Sequence, residues 1–147
     1  MPTTLPTKLV PTEASLPPLG VYVHWPFCAA ICPYCDFNVH LMRNSQTDPA
    51  DWLVAYRREL AHAQSLRPQG RVETVFFGGG TPSLMSPDLV AGILSAIDEM
   101  WGLAGDAEIT LEANPMSAPE THLKDLRAAG ITRLSLGVQA FDDVALK

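Results

Sequence analysis

Basic charge is scarce in this chain: among 147 residues, 10 Lys and Arg stand against 16 Asp and Glu, for a net charge of -6. With a pI of about 5.0, it lacks the basic face that neutralises a phosphate backbone, so no nucleic-acid partner is expected. Long apolar runs are missing too. None approaches the roughly 20 residues a membrane-spanning helix needs, so no transmembrane segment is expected. The N-terminus also lacks the basic stretch followed by an apolar one that marks a secretory signal. Charged residues are only 18% of the chain and mean hydropathy is +0.09, which excludes a highly charged disordered chain. Cysteine is the last scarcity. All 3 cysteines lie between Cys28 and Cys35, whereas a disulfide framework would spread and pair them; a reducing cytoplasm and metal chemistry fit better.

What is present is 47% hydrophobic, enough for one domain at roughly 100–200 residues per domain. Residues 1–19 hold Pro2, Pro6, Pro11, Pro17 and Pro18. Proline fixes φ and removes backbone donors, so this stretch is expected to be a flexible tail. From Gly20 onward, β-rich runs alternate with helical patterns. Val21–Trp25, Val72–Phe77, Glu108–Ala113 and Ile131–Gly137 read as strands. Helices are expected over Pro49–Leu66, capped by Asp48, and from Ser86 to a stop at Gly102. A third opens at Ser117-Ala118-Pro119-Glu120, which has the form of a capping box, and ends at Gly130. The first carries Leu53, Tyr56, Leu60 and Ala63 on one apolar face. The second, apolar almost all round, carries Val90, Leu94, Ile97 and Trp101 on one stripe. Three βα units and one further strand make an α/β fold with a parallel sheet and helices outside.

Three thiols at Cys28, Cys32 and Cys35, spaced C-x3-C-x2-C, follow the first strand. Three readings are open on the residues alone: unrelated buried cysteines, a zinc site with His24 or His40 as fourth ligand, or a [4Fe–4S] cluster with one iron left open. Gly78-Gly79-Gly80-Thr81 follows the second strand, where missing Cβ atoms let backbone approach a ligand. A dinucleotide fingerprint does not fit, because the helix begins only near Pro87. Glu112 and Gln139 stand at the ends of the third and fourth strands, the edge where parallel α/β sheets bind ligands.

The cysteine spacing after the first strand resembles the radical S-adenosylmethionine (SAM) superfamily. That resemblance implies a [4Fe–4S] cluster held by Cys28, Cys32 and Cys35, whose open iron chelates the amino and carboxylate groups of SAM; an electron then cleaves SAM to methionine and a 5′-deoxyadenosyl radical. It implies SAM contacts from Tyr22, Tyr34, Gly79, Gly80, Thr81, Glu112 and Gln139, with Tyr34 near the adenine and the glycine segment at the methionine end. Its fold is a partial (β/α) barrel. Because a full eight-unit barrel takes roughly 250 residues, residues 20–147 are expected to be the N-terminal part of a radical SAM core, truncated at its C-terminal end. Alone, with an unpaired edge strand, this part is expected to be poorly soluble or partly folded.

The segments Tyr22–Cys28, Gly78–Pro82, Glu112–Pro115 and Arg133–Gln139 are similar, in order, to one branch, the oxygen-independent coproporphyrinogen III oxidases and the HemW family of heme chaperones. The oxidases carry a fourth cysteine two residues after the third. Here Cys35-Asp36-Phe37 puts phenylalanine there, as in the chaperones. The resemblance thus implies a heme chaperone, with heme as cargo, respiratory hemoproteins as recipients through transient contact at the membrane, and a flavodoxin or ferredoxin as electron donor. Oxidative decarboxylation of coproporphyrinogen III is the alternative. His24 is expected to be a hydrogen-bonded structural histidine, and no heme-ligand motif is found within these residues.

Overall fold

The computed structural model describes residues 17–42, 48–116 and 119–146. The chain runs β1 (Pro18–Trp25), β2 (Phe27–Cys28), β3 (His40–Leu41), α1 (Pro49–Leu66), β4 (Arg71–Gly79), α2 (Pro87–Trp101), β5 (Leu103–Ala113), α3 (Glu120–Ala128) and β6 (Arg133–Leu136). The main sheet has the order β1-β4-β5-β6, and every pairing in it is parallel. Parallel neighbours require crossovers, and α1, α2 and α3 supply them.

Alternation along the strands separates two faces. Val23 and Trp25 of β1, Val75 and Phe77 of β4, and Ile109, Leu111 and Ala113 of β5 are buried in one core with Leu89, Val90, Ile93, Leu94 and Ile97 of α2. The opposite face carries Tyr22 and His24, Phe76 and Gly78, Thr110 and Glu112, then Arg133 and Ser135, aligned by register across the sheet. The Ser86 hydroxyl accepts from Leu89 N–H at 3.2 Å and starts α2, and Asp48 caps α1 through Ala50 N–H at 2.9 Å. Both helices have the expected limits.

Several expectations need correcting. Pro18 and Leu19, assigned to the tail, pair with Arg71 and Val72 inside β1; residues 1–16 lie outside the described residues. β5 starts five residues early, at Leu103, which pairs with Val72; the register then shifts across Gly105 and Asp106, and regular pairing resumes with Thr74 and Glu108. α2 is not apolar all round, since Asp88, Ser95 and Glu99 line an exposed side. Ser117 of the expected capping box lies outside the described residues, and α3 has Pro119 at its N-cap.

The segment holding the cysteines is closed by a small parallel pair, Phe27–Cys28 against His40–Leu41. His40 N–H donates to Pro26 O at 2.7 Å and Met42 N–H to Cys28 O at 2.8 Å. Both ends of this loop are thereby fastened beside the carboxyl end of β1.

Candidate metal and cofactor site

One cavity of about 390 Å³ lies at the carboxyl ends of the strands. Its volume is in the range of small-molecule sites, roughly 300–1,000 Å³. Cys28, Cys32, Tyr34, Cys35, Gly79, Gly80, Thr81, Glu112 and Gln139 all line it. The cysteines are free thiols, Cys28 buried and the other two half-buried. Among the described residues no three His, Cys, Asp or Glu side chains are grouped to hold one metal ion, and neither His24 nor His40 lines the cavity. A structural zinc takes four protein ligands, and neither candidate histidine joins the three thiols here. Three thiols lining one cavity are a donor set that suits a cluster, in which each thiolate takes a different iron.

The glycine segment is bound tightly to the cysteine segment. Gly80 N–H donates to Trp25 O at 2.6 Å and Thr81 N–H to Phe27 O at 2.8 Å. A Cβ on Gly80 would lie 2.5 Å from Phe27 O and 3.0 Å from Cys28 Sγ, so only glycine permits this approach. Gly79 has φ +110, and a Cβ there would meet the His24 ring at 2.7 Å. Its N–H donates to Glu112 Oε2 at 3.2 Å, linking the ends of β4 and β5.

At the end of β6, Gln139 adopts φ 67, left-handed for a residue with a side chain. Such conformations cluster at functional sites. Its Nε2 donates to Gly137 O at 3.2 Å, folding the amide over its own turn. Tyr34 is 65% exposed at the cavity mouth. A side-chain hydrogen bond with Cys32, then desolvation and the charges of Cys32 and Cys35, raise its hydroxyl above the usual value.

Tyr22 is not among the residues lining this cavity, although it shares a sheet face with Glu112 and Ser135, which are. Strand alternation places it beside Phe76, with ring centroids 6.1 Å apart, and its hydroxyl lies 3.4 Å from His24 Nδ1. Burial and, secondarily, the charge of Glu112 raise its hydroxyl above the ordinary tyrosine value. His24 is the hydrogen-bonded histidine expected, and its carbonyl accepts from Tyr56 Oη at 2.7 Å. Sequence reasoning missed Ala113, Asn114, Ser135, Leu136 and Gly137, which also line the cavity. Ser135 could have been found by register, because it pairs with Glu112.

Residues 22–147 match the family model of the Radical SAM superfamily. The chain belongs to that superfamily. It is similar to the heme chaperone HemW of Escherichia coli, at 42% identity over 133 residues, covering 90% of this chain and 35% of the relative. The mitochondrial radical S-adenosyl methionine domain-containing protein 1 of Bos taurus is 50% identical over 131 residues, covering 87% of this chain and 28% of the relative. The solved structure of coproporphyrinogen III oxidase HemN from Escherichia coli, a radical SAM enzyme, matches with a TM-score of 0.75 at 32% identity, covering 88% of this chain and 29% of that one. The α/β fold with its parallel sheet is thus that of the radical SAM proteins. The chain spans about a third of the length of the curated relatives it matches.

Proposed function

We propose that this chain is the cluster- and SAM-binding part of a heme chaperone of the HemW type. One observation carries the reading: Phe37, where the oxidases have a fourth cysteine, lines the cavity and leaves 65% of its surface exposed. An apolar ring there supplies no further thiolate and no hydrogen donor. The 42% identity to HemW supports the same choice.

In this reading Cys28, Cys32 and Cys35 each hold one iron of a [4Fe–4S] cluster. When bound, the cluster and SAM supply one-electron reductive cleavage, chemistry that belongs to the cofactors. The chain binds and orients. Gly79, Gly80 and Thr81 form the wall that receives the methionine end of SAM, Glu112 and Gln139 offer polar contacts at the next two strand ends, and Tyr34 covers the adenine. Tyr22, on the same sheet face as Glu112, contacts SAM from the β1 side, next to His24, whose ring packs against Gly79. Residues 20–147 form the N-terminal part of the radical SAM core, and β1 extends that unit back to Pro18. Heme, recipient hemoproteins and a flavodoxin or ferredoxin donor are partners of the whole protein. Free cysteines favour a reducing compartment, with the cytoplasm as our assignment; no helix among the described residues is long and apolar enough to cross a membrane.

The test is a spectroscopic heme titration of the reconstituted full-length protein. Saturable uptake of heme, with no protoporphyrinogen formed from coproporphyrinogen III in the presence of SAM and a reductant, is the expected result. Absence of heme uptake would overturn the chaperone reading. Protoporphyrinogen formation would establish the oxidase, the second reading, which the structural likeness to HemN favours.

A further inference from the structure

Two polar bridges reach from the β5–α3 unit to the glycine loop. Near its start, Glu112 Oε2 accepts from Gly79 N–H at 3.2 Å. At its far end, His122 Nε2 lies 2.9 Å from Ser83 O. A carbonyl only accepts, so Nε2 carries the proton and donates. His122 stands in the first turn of α3 and is half-buried, while Ser83 is fully buried. On its other side the loop is tied to the cysteine segment through Trp25 O and Phe27 O. The position of Gly79–Thr81 in the cavity wall therefore depends on what holds each end.

The two bridges differ in one respect. Glu112 lines the cavity, so a ligand that engages its carboxylate competes with Gly79 N–H for it. His122 does not line the cavity and has no ligand to serve. We propose that His122 is a positioning residue, anchoring the end of the glycine loop to α3 so that Gly79–Thr81 keep their place when Glu112 turns to bound SAM. The link to SAM rests on the function proposed above; the tether itself does not. Its effect travels through Ser83 O to Pro82 and Thr81, without the imidazole touching the ligand.

The experiment compares His122→Leu, His122→Ala and His122→Gln in the full-length protein. Glutamine keeps an Nε2 donor at similar reach; leucine and alanine remove it. Two amides report on the loop, Leu84 N–H to Thr81 O and Met85 N–H to Pro82 O, each at 2.9 Å. Loss of one neutral hydrogen bond should speed their exchange about two- to tenfold in the leucine and alanine variants, with glutamine close to wild type. SAM affinity, titrated with the cluster in place, should weaken by a similar factor and recover in the glutamine variant, with iron content unchanged. Unaltered exchange, or no rescue by glutamine, overturns the tether. Faster exchange with unaltered SAM affinity overturns its role toward the ligand. A wild-type protein that binds no SAM defeats both the proposed function and that role, while exchange still decides the tether.

Discussion

Replacing Gly80 by alanine tests the joint between the glycine and cysteine segments. The new Cβ would lie 2.5 Å from Phe27 O, 2.8 Å from Phe27 C and 3.0 Å from Cys28 Sγ. Carbon–oxygen contacts settle at about 3.3–3.6 Å, so the Phe27 carbonyl has to retreat by about 0.8–1.1 Å. That carbonyl accepts from Thr81 N–H at 2.8 Å, a bond that cannot survive the shift at its present length. Overpacking costs about 1–3 kcal/mol and the weakened bond up to about 1 kcal/mol more, for a total of about 1–4 kcal/mol. The displaced backbone leads directly into Cys28, so cluster content should fall with stability. The assay is urea unfolding of the full-length protein followed by circular dichroism, alongside iron and sulfide content after reconstitution. Gly105→Ala is the control, since nothing lies within 4 Å of a Cβ there, and its effect should stay within about 0.5 kcal/mol. If the Gly80 variant unfolds with the control and holds a full complement of iron, the close-approach reasoning is refuted.

Tyr56→Phe removes the hydroxyl that donates to His24 O at 2.7 Å and should cost about 0.5–1.5 kcal/mol near neutral pH. Burial pushes this phenol up to about 12, above the unfolded value near 10, so its contribution is present below about pH 10 and lost as pH rises toward 12. The phenylalanine variant should show a shallower alkaline loss of stability, read by unfolding at a series of pH values. Ser86→Ala removes the cap on Leu89 N–H and should cost about 1 kcal/mol in denaturant unfolding, with glycine there costing less. The Arg57 guanidinium, 2.9 Å from Glu99, holds that carboxyl below its usual value; its contribution is present above about pH 4.5 and fades as pH falls through the lowered value. Both groups are exposed, so Arg57→Ala should move the melting temperature little and salt should mask the difference.

The site is more legible in the sequence than the backbone that carries it. Cys28, Cys32 and Cys35 stand close in sequence, and Gly79, Gly80 and Thr81 occupy a compact motif, so local spacing reveals them. The strand ends are harder. Leu103 pairs with Val72 ahead of a register shift that carries Gly105 and Asp106, an irregularity that no alternation in the sequence announces. The two-residue pair closing the cysteine loop leaves no periodicity to read. Tyr22 precedes His24 and Cys28 in one short run, and only the register with Phe76 and Thr110 shows that it shares a sheet face with Glu112. His122 has no motif around it at all, because its partner is a backbone carbonyl 39 residues away.

Why the site could be read in order follows from the topology. In the spatial order β1-β4-β5-β6, sequence order is also neighbour order for the main-sheet strands. Parallel pairing then puts every strand's carboxyl end on the same rim. A motif at each successive strand end must therefore lie beside the motif before it and the one after it. Cysteines after β1 meet glycines after β4, the glycines meet Glu112 on β5, and Glu112 meets Ser135 and the Gln139 turn on β6. The same logic predicts where the weakest joints are. Contacts between neighbours in this order are made by backbone hydrogen bonds and short side chains, whereas β1 and β6 have no partner on their outer edges among the described residues. A substitution on the inner joints, such as Gly80→Ala, disturbs two elements of the site at once, while one on an outer edge disturbs a single element.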